Sequence, residues 1–503
     1  MSSTRAYRDA IDHLNSLQSN AAVLDAVRAS GGRSSEFAIP EMLEYLERIG
    51  YKPNDLNALN VIHITGTKGK GSTSAFVNSI LQHTKPSWKV GLYTSPHLVA
   101  VRERIRVNGI PISEEDFTRY FYEVWDKLVE NDHRRLPQTS LMPGYFRFLT
   151  LLAFHAFLKM KVDVTILEVG VGGTYDSTNI VPKPVVTGIT ALGIDHVSVL
   201  GKTLKEIAWQ KGGIFKEGTP AISVAQPSEG MEIIEQRAKE LQASSFKVVK
   251  PSDILLKVPL GLAGKHQIQN AAIAVELART FLQGCGAFEN TNTDELPQTF
   301  AEGLKATKWP GRCQVVSDPV ERNLTWYLDG AHTLESLDCC MEWFLTPGVG
   351  VTSKDEVSLP TKRILVFNCT SGRSGQTFLE VINDKIATWT SQNTQSLTFF
   401  DQVIFCTNVT YADGHFKGDL TTKAISDKEL VQLTTQNQLA TAWSSILPDY
   451  LPSNVHVLPS IEHAINHIKR INDSSVVVKI LVAGSLHLVG GVVEVAGLSK
   501  VAL

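Results

Sequence analysis

Val61-Ile62-His63-Ile64-Thr65-Gly66-Thr67-Lys68-Gly69-Lys70-Gly71-Ser72 is an apolar run that breaks into glycines interleaved with two lysines and closes on a hydroxyl. Beyond it, Phe76, Val77, Ile80 and Leu81 recur at helical spacing, so the stretch reads as strand, phosphate loop, helix. Glycines let backbone N–H groups approach phosphate oxygens, and the helix that follows points its partly positive N-terminus at them. A lysine there can hold outer phosphates, and a hydroxyl can help ligate Mg²⁺. The usual pattern is G-x-x-x-x-G-K-[ST]. Here Ile64 stands at the leading glycine and Gly71 separates Lys70 from Ser72. Taken alone, the segment also fits a glycine-rich turn without a ligand.

Outward from this loop, 503 residues are too many for one ordinary domain. Hydrophobic content of 43% and charged content of 20% are ordinary for a globular chain with a sizeable core. A net charge of −3 excludes the strongly basic balance of a protein that binds nucleic acid through its whole surface. An anionic substrate must then be held by local cations, and the loop supplies Lys68 and Lys70. Cysteines 285, 313, 339, 340, 369 and 406 form no C-x-x-C pair, so they read as reduced core thiols of an intracellular protein. There is no run of 18 or more apolar residues, so no membrane span is expected. Asp9 and Asp12 near the start, without an apolar signal segment, suggest a cytoplasmic protein.

Residues 5–30 read as a helix with Tyr7, Ile11, Leu14 and Leu17 on one face, ended by Gly31-Gly32, and 40–49 as a second. Residues 89–94 form an expected strand ending at Ser95-Pro96-His97-Leu98. Arg102, Arg104 and Arg106 would share one side if 101–107 is extended. Such a row is either a solvated face or a means of steering an anionic tail. Helices are expected over 114–130 and 145–160, then a buried strand, 162–170, with Glu168 near its carboxyl end before Gly170, Gly172 and Gly173. The next strand, 185–190, leads to Gly193-Ile194-Asp195-His196, and a helix then carries Lys211.

In a parallel α/β sheet, ligands gather outside the carboxyl ends of strands. Ser95, Glu168 and His196, each after an expected strand, and Lys211 therefore suggest one Mg²⁺–phosphate site. Gly264–Asn270 precedes a helix over 271–282, and a polar patch at 289–295 leads to a hinge-like turn, Trp309-Pro310-Gly311-Arg312. A second series of strands at 325–328, 363–368, 402–406 and 476–483, alternating with helices, gives a second α/β layer. Segments 346–361 and 408–436 read as surface insertions.

The ordered set Gly66–Ser72, Ser95–Leu98, Leu167–Gly173, Leu192–His196, Ala208–Lys211, Trp309–Arg312, Tyr327–His332 and Gly484–Gly491 resembles the folylpolyglutamate synthases across about residues 36–495. These belong with the ATP-dependent amide ligases that include the bacterial Mur ligases. The resemblance implies an α/β chain with an ATP-binding domain of mostly parallel sheet, 1–310, and a smaller Rossmann-like domain, 311–503, with the active site in the cleft between them. It implies that ATP, a tetrahydrofolate mono- or polyglutamate and L-glutamate give a γ-linked extension, ADP and phosphate.

It further implies a nucleotide site of Gly66, Thr67, Lys68, Gly69, Lys70, Gly71, Ser72, Asn270, Arg312 and Asp329, and metal ligands Ser95, Glu168 and His196. Lys70, Glu168, His196, Lys211, Asp329 and His332 are the catalytic candidates. Lys211 matches a lysine that can be carbamylated; unmodified, it is a cation near the second metal. Mg²⁺ and K⁺ are the implied ions. A monomer is expected, acting without nucleic acid or membrane, and an alternative start would allow a mitochondrial form. The nearest alternatives are dihydrofolate synthase, a bifunctional enzyme, and a nucleotide-binding paralogue without catalysis.

Overall fold

The computed structural model describes residues 5–18, 37–287, 295–352, 360–369, 375–393, 398–415, 418–420 and 432–503. The expected helix over 5–30 is seen as Tyr7–Ser16; residues 19–30 and Gly31-Gly32 lie outside the described residues, as do 289–294 and parts of both insertions. The chain divides into two compact units between Lys308 and Trp309, with Leu98–Val101 and Leu262–His266 grouped with the second.

In the first unit the strands are β1 (Val61–Thr65), β2 (Val90–Tyr93), β3 (Ile105–Val107), β4 (Ile110–Pro111), β5 (Val164–Glu168), β6 (Val186–Ile189), β7 (Pro220–Val224) and β8 (Ser245–Val249). They form one sheet in the order β4-β3-β2-β5-β1-β6-β7-β8. β2, β5, β1, β6, β7 and β8 run parallel, and β3 and β4 close one edge antiparallel. β1 is buried along its whole length, as a near-continuous apolar run in the middle of a parallel sheet should be. From β1 the chain moves to β2, beyond β5, and from β5 it crosses over β1 to β6, so the loop after β1 sits where strand order reverses.

The helix that follows, Lys70–Thr84, is buried from Ser72 through Leu81. Helices Gln267–Gly284 and Gln298–Ala306 both pack on it. At Gly303 an added Cβ would lie 2.7 Å from the Ile80 Cα, so only glycine permits that approach. Being covered on several sides, the helix shows only part of an amphipathic period.

The arginine row departs from expectation. Val101–Arg104 is a 3₁₀ turn and only Ile105–Val107 is extended, so the three side chains take different directions. Arg104 and Arg106 are buried. Arg106 bonds the Glu103 and Gly109 carbonyls at 3.0 and 3.1 Å. Arg104 donates from Nε to His97 Nδ1 at 2.9 Å, and Arg102 donates to the Ile112 carbonyl. A solvated face is therefore excluded. The cysteines also depart in part, since Cys285 is exposed and Cys339 half-buried while the other four are buried; all six are free thiols.

In the second unit β9 (Gln314–Ser317), β10 (Leu324–Leu328), β11 (Thr361–Phe367), β12 (Gln402–Cys406), β13 (Val455–Leu458) and β14 (Val477–Ala483) order as β13-β12-β11-β14-β10-β9. All are parallel except β9, which pairs antiparallel with β10. Apolar clusters cover both faces, one around Phe344, Phe367 and Phe405, the other around Trp326, Ile404 and Val482. No helix among the described residues is long and apolar enough to cross a membrane.

Candidate active site

The loop between β1 and its helix is shaped by what crowds it. A Cβ on Gly66 would lie 1.8 Å from Thr190 Oγ1, and one on Gly69 would lie 2.1 Å from Asn270 Oδ1. Gly69 also takes a left-handed φ of 85° at the helix N-cap. Thr190, just past β6, donates its hydroxyl to the Lys68 carbonyl at 2.6 Å. The amides of Thr67 and Lys68 both bond the Ala191 carbonyl, at 2.9 and 3.1 Å. The glycines thus allow two neighbouring segments to grip the loop at van der Waals range.

Two ammonium groups meet on one acceptor in this loop. Lys70 Nζ and Lys211 Nζ both donate to the Gly66 carbonyl, at 3.0 and 2.8 Å. Lys211, on helix Leu204–Gly212, is only 3% exposed. Burial, then repulsion from Lys70, hold it well below the usual lysine range, against the pull of Asp195 and Asp176. An arrangement that gathers like charge at the N-terminus of a buried helix is matched to an anion.

β2 and β5 are neighbours, so their carboxyl ends bring Ser95 and Glu168 together: the Ser95 amide donates to Glu168 Oε2 at 3.2 Å. Glu168 is 3% exposed. His196, by contrast, is exposed and left-handed at φ 50°, leading into the short helix Val197–Leu200. Among the described residues no three His, Cys, Asp or Glu side chains converge as metal ligands. One carboxylate with nearby hydroxyls does not suit a transition-metal cage. It fits Mg²⁺, which keeps waters and takes its remaining ligands from phosphates.

Past the glycine turn that follows Glu168 in the chain lies a network with no part in the sequence expectations. Asp176 is half-buried and accepts from the Val171 amide at 3.1 Å and from the Thr178 amide and hydroxyl at 3.0 and 2.6 Å. Burial raises its pKa even so. Thr178 Oγ1 is also 2.9 Å from Nε2 of His63, in the middle of β1. Since that hydroxyl donates to Asp176, His63 must donate to it from Nε2. Burial drives His63 down to about 3, so it stays neutral. The run Asp176-Ser177-Thr178-Asn179 directly after the glycine turn is the signal that could have disclosed this support.

In the second unit Asp329 follows β10 and is 6% exposed. Its carboxylate accepts from the Cys313 amide at 2.6 Å and the Ala331 amide at 2.8 Å. It therefore ties the turn carrying Arg312 to the turn carrying His332. Gly330 bonds the Gly311 carbonyl at 3.0 Å, and a Cβ there would lie 2.7 Å from Arg312 Nη1. His332 Nδ1 faces the Gly330 carbonyl at 2.9 Å, just ahead of the Thr333 cap of helix Leu334–Phe344. Asp329, Arg312 and His332 thus belong to one fixed corner.

No family model matches the chain. The folylpolyglutamate synthase of Candida albicans is 44% identical over 507 residues, covering 97% of this chain and 95% of its own. That of Saccharomyces cerevisiae (strain ATCC 204508 / S288c) is 44% identical over 504 residues, covering 98% and 87%. Among solved structures, Mycobacterium tuberculosis folylpolyglutamate synthase complexed with ADP and AMPPCP matches with a TM-score of 0.67 at 23% identity, covering 91% of this chain and 95% of that one. At that identity the match speaks to the fold.

Proposed function

The chain belongs to the folylpolyglutamate synthase family, and from that premise we infer that it uses ATP to add L-glutamate to the γ-carboxylate of tetrahydrofolate mono- and polyglutamates. The observation that carries the reading is the pair of ammoniums on Gly66 in a glycine loop held open at the carboxyl end of β1.

A carboxylate is a poor acylating agent. Its oxygen attacks the γ-phosphorus of ATP, the bond to ADP breaks, and an acyl phosphate forms. The amine of glutamate then attacks the acyl carbon, loses a proton and expels phosphate. In such a scheme the protein mostly positions groups and neutralises charge. Lys70 and the backbone of 66–71 hold the phosphates, whose negative charge offsets the burial and repulsion that lower Lys211 and keeps it protonated behind them. Mg²⁺, when bound, would supply charge neutralisation at the phosphate oxygens, and Ser95 and Glu168 with Ser72 are the residues that would hold it.

His196, by family resemblance, is assigned to a second metal. Its exposure leaves it accessible, and a dependence on K⁺ rests on the same resemblance alone. Within the second unit, Asp329 sets the turns that present Arg312 and His332, assigned to nucleotide and incoming amino acid.

The test is product analysis by mass spectrometry after incubation with ATP, L-glutamate and either tetrahydrofolate or dihydropteroate. Successive glutamyl additions to tetrahydrofolate are expected. Turnover of dihydropteroate alone would replace this reading with dihydrofolate synthesis, and turnover of neither would favour a non-catalytic paralogue.

A further inference from the structure

We propose that Gln267 is a positioning residue for the phosphate and cation end of the nucleotide site, holding the Ser72 hydroxyl so that a lone pair and its proton stay available to the ligand. This rests on the ATP reading above. Gln267 opens the helix Gln267–Gly284 and is fully buried. Its Nε2 donates to Ser72 Oγ at 3.3 Å, and its Oε1 accepts from Asn270 Nδ2 at 2.9 Å. Because Asn270 occupies the oxygen, the N–H end of the amide must face Ser72.

Asn270 is itself locked, with its Oδ1 in the space a Cβ on Gly69 would need. One helical turn therefore braces the phosphate loop at two points, Gly69 and Ser72. A serine within a helix otherwise turns its hydroxyl onto the carbonyl four residues earlier, here that of Lys68, which already accepts from Thr190. A hydroxyl has one proton and two lone pairs. The Gln267 N–H occupies one lone pair, which leaves the other for a cation and the proton for a phosphate oxygen. Nothing in the sequence around Gln267 marks it, because its effect depends on the contact with Ser72, 195 residues away.

The test uses the full chain with Gln267→Met, which keeps the volume without the amide, and Gln267→Ala as a second variant. ADP binding is measured by calorimetry with Mg²⁺ and again in EDTA, alongside melting of the unliganded protein. Loss of one oriented hydrogen bond should weaken Mg²⁺·ADP binding about five- to tenfold, with a change of less than about twofold in EDTA. Adding Gln267→Met to Ser72→Ala should cost little more than Ser72→Ala alone, because Gln267 acts through the Ser72 hydroxyl.

Equal weakening in both conditions together with a lower melting temperature would assign Gln267 to structural support and overturn the proposal. So would unchanged binding in both, or fully additive losses with Ser72→Ala. Failure of the wild-type protein to bind ADP in either condition would instead remove the ATP reading on which the proposal stands.

Discussion

The His63–Thr178–Asp176 network makes the first unit sensitive to acid in a way that one substitution isolates. His63 sits fully buried in β1, and burial with repulsion from Lys216 lowers its folded value to about 3. The unfolded chain, near the ordinary value, takes up the proton first. His63 therefore contributes full stability above about pH 6.5, and that contribution is lost as pH falls toward 3. Integrating the proton uptake between these values gives a loss of about 2 kcal/mol at pH 5 relative to pH 8. The substitution His63→Gln would place an amide N–H where the imidazole Nε2–H stands and keep the bond to Thr178 without a titrating group. Urea unfolding of wild type and His63→Gln at pH 8 and pH 5 reads the effect. Wild type should lose about 2 kcal/mol more than the variant between the two pH values. A wild-type-minus-variant difference that is the same at both pH values would refute the reasoning.

Gly66→Ala drives a methyl to within 1.8 Å of Thr190 Oγ1; displacement of the loop should cost about 1–3 kcal/mol in melting experiments and remove most ATP turnover. Lys70→Ala should lower turnover on the order of 10²-fold or more while leaving the melting curve nearly in place, because its one protein bond described in the loop is to Gly66. Retained turnover would remove Lys70 from the phosphate site. Glu168→Gln keeps an acceptor for the Ser95 amide but removes the charge, so a Mg²⁺ titration of turnover should shift to about tenfold higher concentration or beyond. An unshifted titration would exclude Glu168 as a ligand.

The strand, loop and helix around residues 61–84 were legible because glycine and lysine interrupt a continuous apolar run, and those are local signals. The strand ends bearing Ser95 and Glu168 were legible for the same reason. Their proximity was not, since it depends on β2 lying beside β5. The arginine row would share one side only if 101–107 were extended, and the alternation does not disclose the 3₁₀ turn that takes up its first four residues. β9 and β13 escaped notice: one is a short antiparallel edge strand, the other is only half-buried throughout. β7 and β8 were likewise not singled out, though β7 is almost wholly buried. Thr190 and Gln267 carry no motif, and their importance comes from distances to residues far away in sequence.

The displaced hydroxyl of the loop has a geometrical reason. Successive residues turn about 100° around an α-helix, so a lysine followed directly by Ser or Thr presents ammonium and hydroxyl about a quarter-turn apart. With Gly71 between them, Lys70 and Ser72 stand about 200° apart around the helix. Lys70 reaches back to the Gly66 carbonyl, while Ser72 turns toward Gln267. A hydroxyl set on a different side from the phosphate cation needs an external partner to fix its direction. The inserted glycine and the buried glutamine are thus complementary: one moves the hydroxyl around the helix, and the other decides which way its proton points.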